Sequence, residues 1–173
     1  MNELKILYRG SPNKDSIIFD PKETVGNDSS ARLVVSATAD RNAATRFIVP
    51  GGDLPIKIGT TNGTHYYLCG DEKTFRNMDR GGAVYSLPVI GFEYDNISGV
   101  WVSSKPVEPI AREVFSSGLD AMISSGVQVY FVNLDTFDRF SRSPNERINI
   151  LIQNRSENQR RNQNIKDFSS NLT

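Results

Sequence analysis

Apolar residues recur along the first two thirds of the chain in short runs that alternate with turn residues, a pattern that predicts strands rather than long helices. LKILYRG reads as a first strand and SARLVVSATAD as a second that stops at Asp40. Between them, SPNKDSIIFDPKETVGNDSS carries Ser, Pro, Asp and Asn, so it is expected to be a loop with one extended apolar contact at Ile17 to Phe19. Asp40 fits the N-cap of a helix over RNAATRFIV, in which Ala43, Ala44 and Phe47 share helical spacing and Pro50 ends the element.

Five further runs, LPIKIG, THYYLCG, GAVYSLPV, GVWVSS and GVQVYFV, are separated by turns such as TTNGT, RGG and YDNISG and read as an antiparallel meander. REVFSSGLDAMISSG interrupts it as a helix candidate, with Leu119, Ala121 and Met122 facing inward and Gly118 shortening it. The pattern is a strand-dominated α+β fold with few short helices.

After Asn133 the alternation gives way to polar sequence. Ser143, Pro144 and Glu146 resemble a capping box, which predicts a helix from about residue 144 with Ile148, Leu151, Ile152 and Arg155 on one side. Beyond Asn154 the apolar stripe fails and fraying or disorder is expected. The organisation expected is one domain over 1–140 and a polar C-terminal helix and tail over 141–173.

Lys plus Arg and Asp plus Glu both number 20 in the 173 residues, so the net charge is zero and no overall field attracts nucleic acid or an anionic membrane. The tail NRSENQRRNQN offers arginines to nucleic acid, but Glu157 and Asp167 interrupt the charge and no aromatic is interleaved for stacking, which favours a solvated tail. One cysteine and one histidine exclude a disulfide framework and leave too few ligands for an ordinary zinc site. No run approaches the ~20 apolar residues of a membrane span, so the chain reads as a soluble cytoplasmic protein with no membrane partner.

P-loop, GxGxxG, HExxH and GxSxG signatures are all missing from the sequence. His65 and Cys69, four apart on a predicted strand, share a face, but a structural role for His65 is favoured because no activating neighbour accompanies the pair. What remains is Arg9, Gly10, Ser36 and Thr38, each at or near the end of an apolar strand.

LYRGSP followed by LVVSATADRNAATRF resembles the opening of proteins with the ADP-ribosyltransferase fold, and GAVYSLPVIGFEYDNISGVWVSSKPVEPI with GLDAMISSGVQVYFV resembles the second half of small bacterial and phage members of unassigned function. The resemblance covers roughly residues 5–133 and implies split antiparallel sheets binding NAD. It implies a cofactor-binding set of Tyr8, Arg9, Gly10, Ser36, Thr38 and Phe47. Gly10 would let the backbone approach the nicotinamide carboxamide, Arg9 would hold ribose or phosphates, and the Ser36 and Thr38 hydroxyls would hold the nicotinamide ribose. Tyr66, Tyr67 and Tyr85 are candidates for an aromatic wall or for core and rim.

Plain structural roles stand beside these: an ion pair for Arg9, a turn for Gly10, and capping of the helix after Asp40 for Ser36 and Thr38. Transferases of this fold need a late-strand glutamate to stabilise an oxocarbenium-like transition state. Val100 occupies the place where related proteins carry an acid, Gln128 cannot carry charge, and Glu93 and Glu108 flank the GVWVSS strand. Arg9, Gln128 and Glu93 are therefore the catalytic candidates. Two functions stay open: an NAD-dependent mono-ADP-ribosyltransferase acting on a macromolecular acceptor, or a non-catalytic nucleotide-binding or interaction module of the same fold.

Overall fold

The structure is a computed structural model that describes residues 6–25 and 31–170. In chain order the elements are β1 (Ile6–Ser11), β2 (Lys22–Val25), β3 (Ala31–Ala37), α1 (Arg41–Ala44), β4 (Ile56–Thr61), β5 (Thr64–Cys69) and α2 (Glu72–Met78). There follow β6 (Gly82–Pro88), β7 (Glu93–Asp95), β8 (Val100–Ser103), β9 (Ala111–Phe115), α3 (Gly118–Ser124) and β10 (Gln128–Phe131). Three helices close the chain: α4 (Leu134–Arg142), α5 (Arg147–Gln153) and α6 (Glu157–Ser170). The fold is α+β and strand-rich, and among the described residues no helix is long and apolar enough to cross a membrane.

Contacts divide the chain into two compact units, Met1–Val49 with Arg80–Gly118 and Pro50–Asp79 with Leu119–Thr173. The division does not run at residue 140, which lies inside the uninterrupted helix α4.

In the first unit, β1, β6 and β9 form one antiparallel sheet in the order β1-β6-β9, and β2, β3, β8 and β7 form another in that order. Their core is Leu7, Val35, Ala37, Tyr85 and Leu87 with Phe19 and Phe92. In β1, Leu7 is fully buried in this core, and Tyr8 and Arg9 are half-buried. Of the apolar run Ile17 to Phe19, only Phe19 is buried, pinned by a backbone bridge to Val107, while Ile17 is 83% exposed.

In the second unit, β4 and β5 form an antiparallel hairpin and β10 lies parallel to β5, in the order β10-β5-β4. Asn62 and Gly63 both have positive φ, 49° and 75°, so the TTNGT turn is the tight kind in which glycine at the second position avoids a steric penalty. The five middle runs are thus strands but not a meander, because β6 and β8 pair with β1 and β3 and because α3 returns the chain parallel to β5. Pairing direction is set by that crossover and leaves no mark on the alternation of each run.

Local differences follow the same logic. REVF is strand β9 rather than helix, paired to β6, and only the part after Ser117 is helical, with Leu119, Ala121 and Met122 buried as expected. Asp71 caps α2 by accepting from the Thr74 amide at 2.9 Å, a start signal masked by the short apolar content of EKTFRNM. The capping box falls not at Ser143, whose side chain makes no cap bond, but at Ser156, whose hydroxyl accepts from the Gln159 amide while the Gln159 carboxamide accepts from the Ser156 N–H. It starts α6 in the stretch expected to fray. Helix α5 buries Ile150 and Leu151 and leaves Ile148 and Ile152 exposed, so its inner face is turned from the one the spacing predicts.

Candidate functional site

The site grows from a single contact between two strand ends. The Tyr8 N–H donates to the Thr38 carbonyl at 2.7 Å and the Thr38 N–H to the Tyr8 carbonyl at 2.9 Å, an isolated bridge that ties β1 to the end of β3. Beside it opens a cleft of about 390 Å³, within the range of small-molecule sites. Tyr8, Arg9, Gly10, Ser36, Thr38 and Phe47 all line it, so the structure brings the whole proposed cofactor set to one place.

Arg9 crosses the cleft wall. Its Nη1 donates to the Ser36 carbonyl at 2.6 Å and to Ser36 Oγ at 3.1 Å, and its guanidinium lies 5.2 Å from the Phe19 ring centroid. Nε is buried without a hydrogen-bond partner. No carboxylate pairs with Arg9 among the described residues, so the surface ion pair considered from sequence is not what holds it. Burial lowers its pKa through desolvation, yet an arginine stays protonated at neutral pH. Lys22 on β2 adds a second cation to the lining, and among the described residues no Asp or Glu lines the cleft. The arrangement therefore favours an anion.

Gly10 is required by packing rather than by its turn. A Cβ there would stand 2.0 Å from the Ala44 carbonyl oxygen and 3.1 Å from Phe47 Cβ, so the bare backbone is what lets the turn after α1 settle on β1. That turn is held by Asp40, whose carboxylate accepts from the Asn42 and Ala43 amides at 2.8 and 3.3 Å. After Ala44 the helix tightens into a 3-10 turn over Thr45–Phe47, which swings Phe47 out of the core position its spacing predicts. Phe47 is 49% exposed and forms an apolar wall of the cleft. Thr38 Oγ1 accepts from the N–H of Asp40 at 3.1 Å, so it bonds the backbone of the capping residue while Asp40 itself caps α1, and Ser36 Oγ serves Arg9.

The catalytic candidates do not assemble. Gln128 belongs to the second unit, where its carboxamide accepts from Ser156 Oγ at 3.0 Å. Glu93 is exposed on β7 opposite Val102, and neither it nor Glu108 lines the cleft. Val100 does line it, so the position where an acid was sought carries an aliphatic side chain. Tyr85 is core, its hydroxyl donating to the Asn13 carbonyl at 2.8 Å and accepting from the Ser16 N–H at 2.9 Å, which braces the loop entering the cleft. Tyr67 is buried in the second unit, and Tyr66 lines a different cleft there.

His65 Nδ1 is 2.8 Å from Thr60 Oγ1 across the hairpin, while the buried Cys69 thiol donates to the Asp71 carbonyl and is pushed up in pKa by burial. Neither geometry activates a nucleophile. Sequence reasoning missed Lys22 and Asn13, which also line the first cleft. Lys22 sits in a polar run whose only strand signal is its pairing to Val34, a long-range contact no local pattern reveals.

No family model matches the chain, and neither curated proteins nor solved structures give a match.

Proposed function

We propose that the first cleft binds a diphosphate-bearing nucleotide of the NAD and ADP-ribose class, and that the chain is an ADP-ribosyltransferase-like protein that binds this ligand without transferring it. One observation carries the reading: Arg9 is held half-buried by the Ser36 carbonyl and, among the described residues, no carboxylate pairs with it and no acid joins Lys22 in the lining. A guanidinium so placed loses solvation and gains no countercharge, and a phosphate supplies both the charge and a fork of acceptors. The hydroxyls of Tyr8, Ser36 and Thr38 add polar groups for ribose, and Phe47 adds an apolar face for a base.

Transfer is the second reading, supported by the resemblance of YRG and SAT to the family motifs. It lacks the carboxylate that would stabilise an oxocarbenium-like transition state, since Val100 lines the cleft and Glu93 does not. Titration of NAD into the protein, with nicotinamide followed in the same samples, separates the outcomes. Saturable binding without nicotinamide release is expected. Stoichiometric or catalytic release would restore the transferase, and absence of binding at millimolar NAD would end both readings.

A further inference from the structure

The second unit carries a cleft of its own, of about 410 Å³, with a polar and aliphatic lining. Among the described residues, not one Lys, Arg, Asp or Glu lines it. One wall is the face of the β10-β5-β4 sheet, where Gln128 is the Cα partner of Tyr66 and Tyr130 follows two residues on, so the three side chains share a face. Helix α5 supplies aliphatic groups, among them Ile148 and Ile152, which are exposed to solvent.

The polar groups here are held in place. Tyr66 lies across β4 where Gly59 leaves room, since a Cβ on Gly59 would meet the Tyr66 hydroxyl at 2.4 Å, and its ring packs edge-on against Phe140 with centroids 5.7 Å apart. Ser156, fully buried, donates its hydroxyl to Gln128 Oε1 and its N–H to Gln159 Oε1, both at 3.0 Å. Both carboxamides line the cleft with their oxygens engaged, and neither NH₂ group has a hydrogen-bond partner among the described residues. Burial raises the pKa of Tyr130.

We propose that this cleft is a binding site for an uncharged planar heteroaromatic compound of the nucleobase or nucleoside class. Two tyrosines and an aliphatic helix face offer flat apolar surface, the Gln128 and Gln159 NH₂ groups offer donors to ring nitrogens or carbonyls, and the missing cations penalise a phosphate. The site is independent of the anion-binding cleft and does not rest on the reading given to it.

The test is titration of adenosine, thymidine and AMP into the full chain by ligand-observed NMR, repeated with Arg9→Met, Gln128→Leu and Ile152→Arg. In Arg9→Met, which removes the phosphate-binding cation of the first cleft, adenosine or thymidine is expected to bind saturably and at least about tenfold better than AMP, with the same nucleoside affinity as in wild type. Gln128→Leu is expected to weaken it. Ile152, 76% exposed, tolerates replacement without risk to folding, and Ile152→Arg places a cation at the rim that is expected to shift preference toward AMP. Failure of both nucleosides to saturate at millimolar concentration, or a loss of their binding in Arg9→Met, would overturn the proposal. So would an AMP affinity in Ile152→Arg combined with Arg9→Met that equals the value in Arg9→Met alone.

Discussion

Arg9 on β1 and Ser36 on β3 are joined by a 2.6 Å bond from Nη1 to the Ser36 carbonyl, and that bond is the firmest anchor of a cation with an unpartnered buried Nε. Placing a guanidinium this way carries a desolvation cost of several kcal/mol, and an unmatched donor adds ~1–3 kcal/mol. Arg9→Met, which keeps an unbranched side chain and removes the charge, is therefore expected to hold stability within about 0.5 kcal/mol of wild type or raise it, as urea unfolding will show. A structural arginine would instead lose ~1–3 kcal/mol on replacement.

Gly10→Ala has the opposite expectation. Its Cβ would overlap the Ala44 carbonyl oxygen at 2.0 Å, a clash with backbone that no rotamer relieves. Stability is expected to fall by roughly 1–3 kcal/mol or more, with the turn carrying Phe47 displaced from β1. Chemical denaturation gives the first quantity, and ¹H–¹³C shifts of Phe47 report the second.

That glycine also marks how far the sequence could be read. LYRGSP and SAT suffice to group Tyr8, Arg9, Gly10, Ser36 and Thr38, because strand ends put backbone and side chains where chain segments converge, and the structure places them in one cleft. The reason Gly10 must be glycine lies 34 residues away at Ala44, a contact that no local pattern encodes. Gln128 illustrates the converse: its strand is plain in the alternation, but which unit that strand joins depends on its parallel pairing with β5. Short strands were legible and their partners were not, since period-2 alternation specifies a face and leaves the neighbour free.

Tyr67 and Cys69 lie two apart on β5, both fully buried, and burial raises the pKa of each. An unfolded chain releases these protons near the ordinary values of about 8.5 for Cys and 10 for Tyr, while the native state retains them. Above about pH 8.5 the unfolded state thus binds fewer protons, and stability falls as pH rises. Urea midpoints measured from pH 7 to the alkaline side are expected to decline, and Tyr67→Phe is expected to flatten the part above about pH 10. Because the Tyr67 hydroxyl has no partner, the same change is expected to add about 1 kcal/mol at pH 7.

Asn158 on α6 takes the place of a neighbouring strand along the edge of β10. Its Oδ1 accepts from the Val129 N–H at 3.1 Å and its Nδ2 donates to the Val127 carbonyl at 3.0 Å. The sequence VQVYFV has no charge and no proline, the composition of an edge that pairs readily with another chain. Asn158→Leu is expected to speed amide exchange at Val129 while Tyr130 keeps its protection from the sheet interior, and to make self-association concentration-dependent. Equal exchange at the two amides in the variant would contradict the edge-guard role.

The central claim is that Arg9 recruits a diphosphate, and calorimetric titration of ADP-ribose into wild type and Arg9→Met at two salt concentrations tests it most directly. Wild type is expected to bind at one site, more weakly at high salt, and Arg9→Met to lose the binding while remaining folded. Equal affinity in the two proteins, or no heat of binding in wild type at millimolar ADP-ribose, would contradict the account.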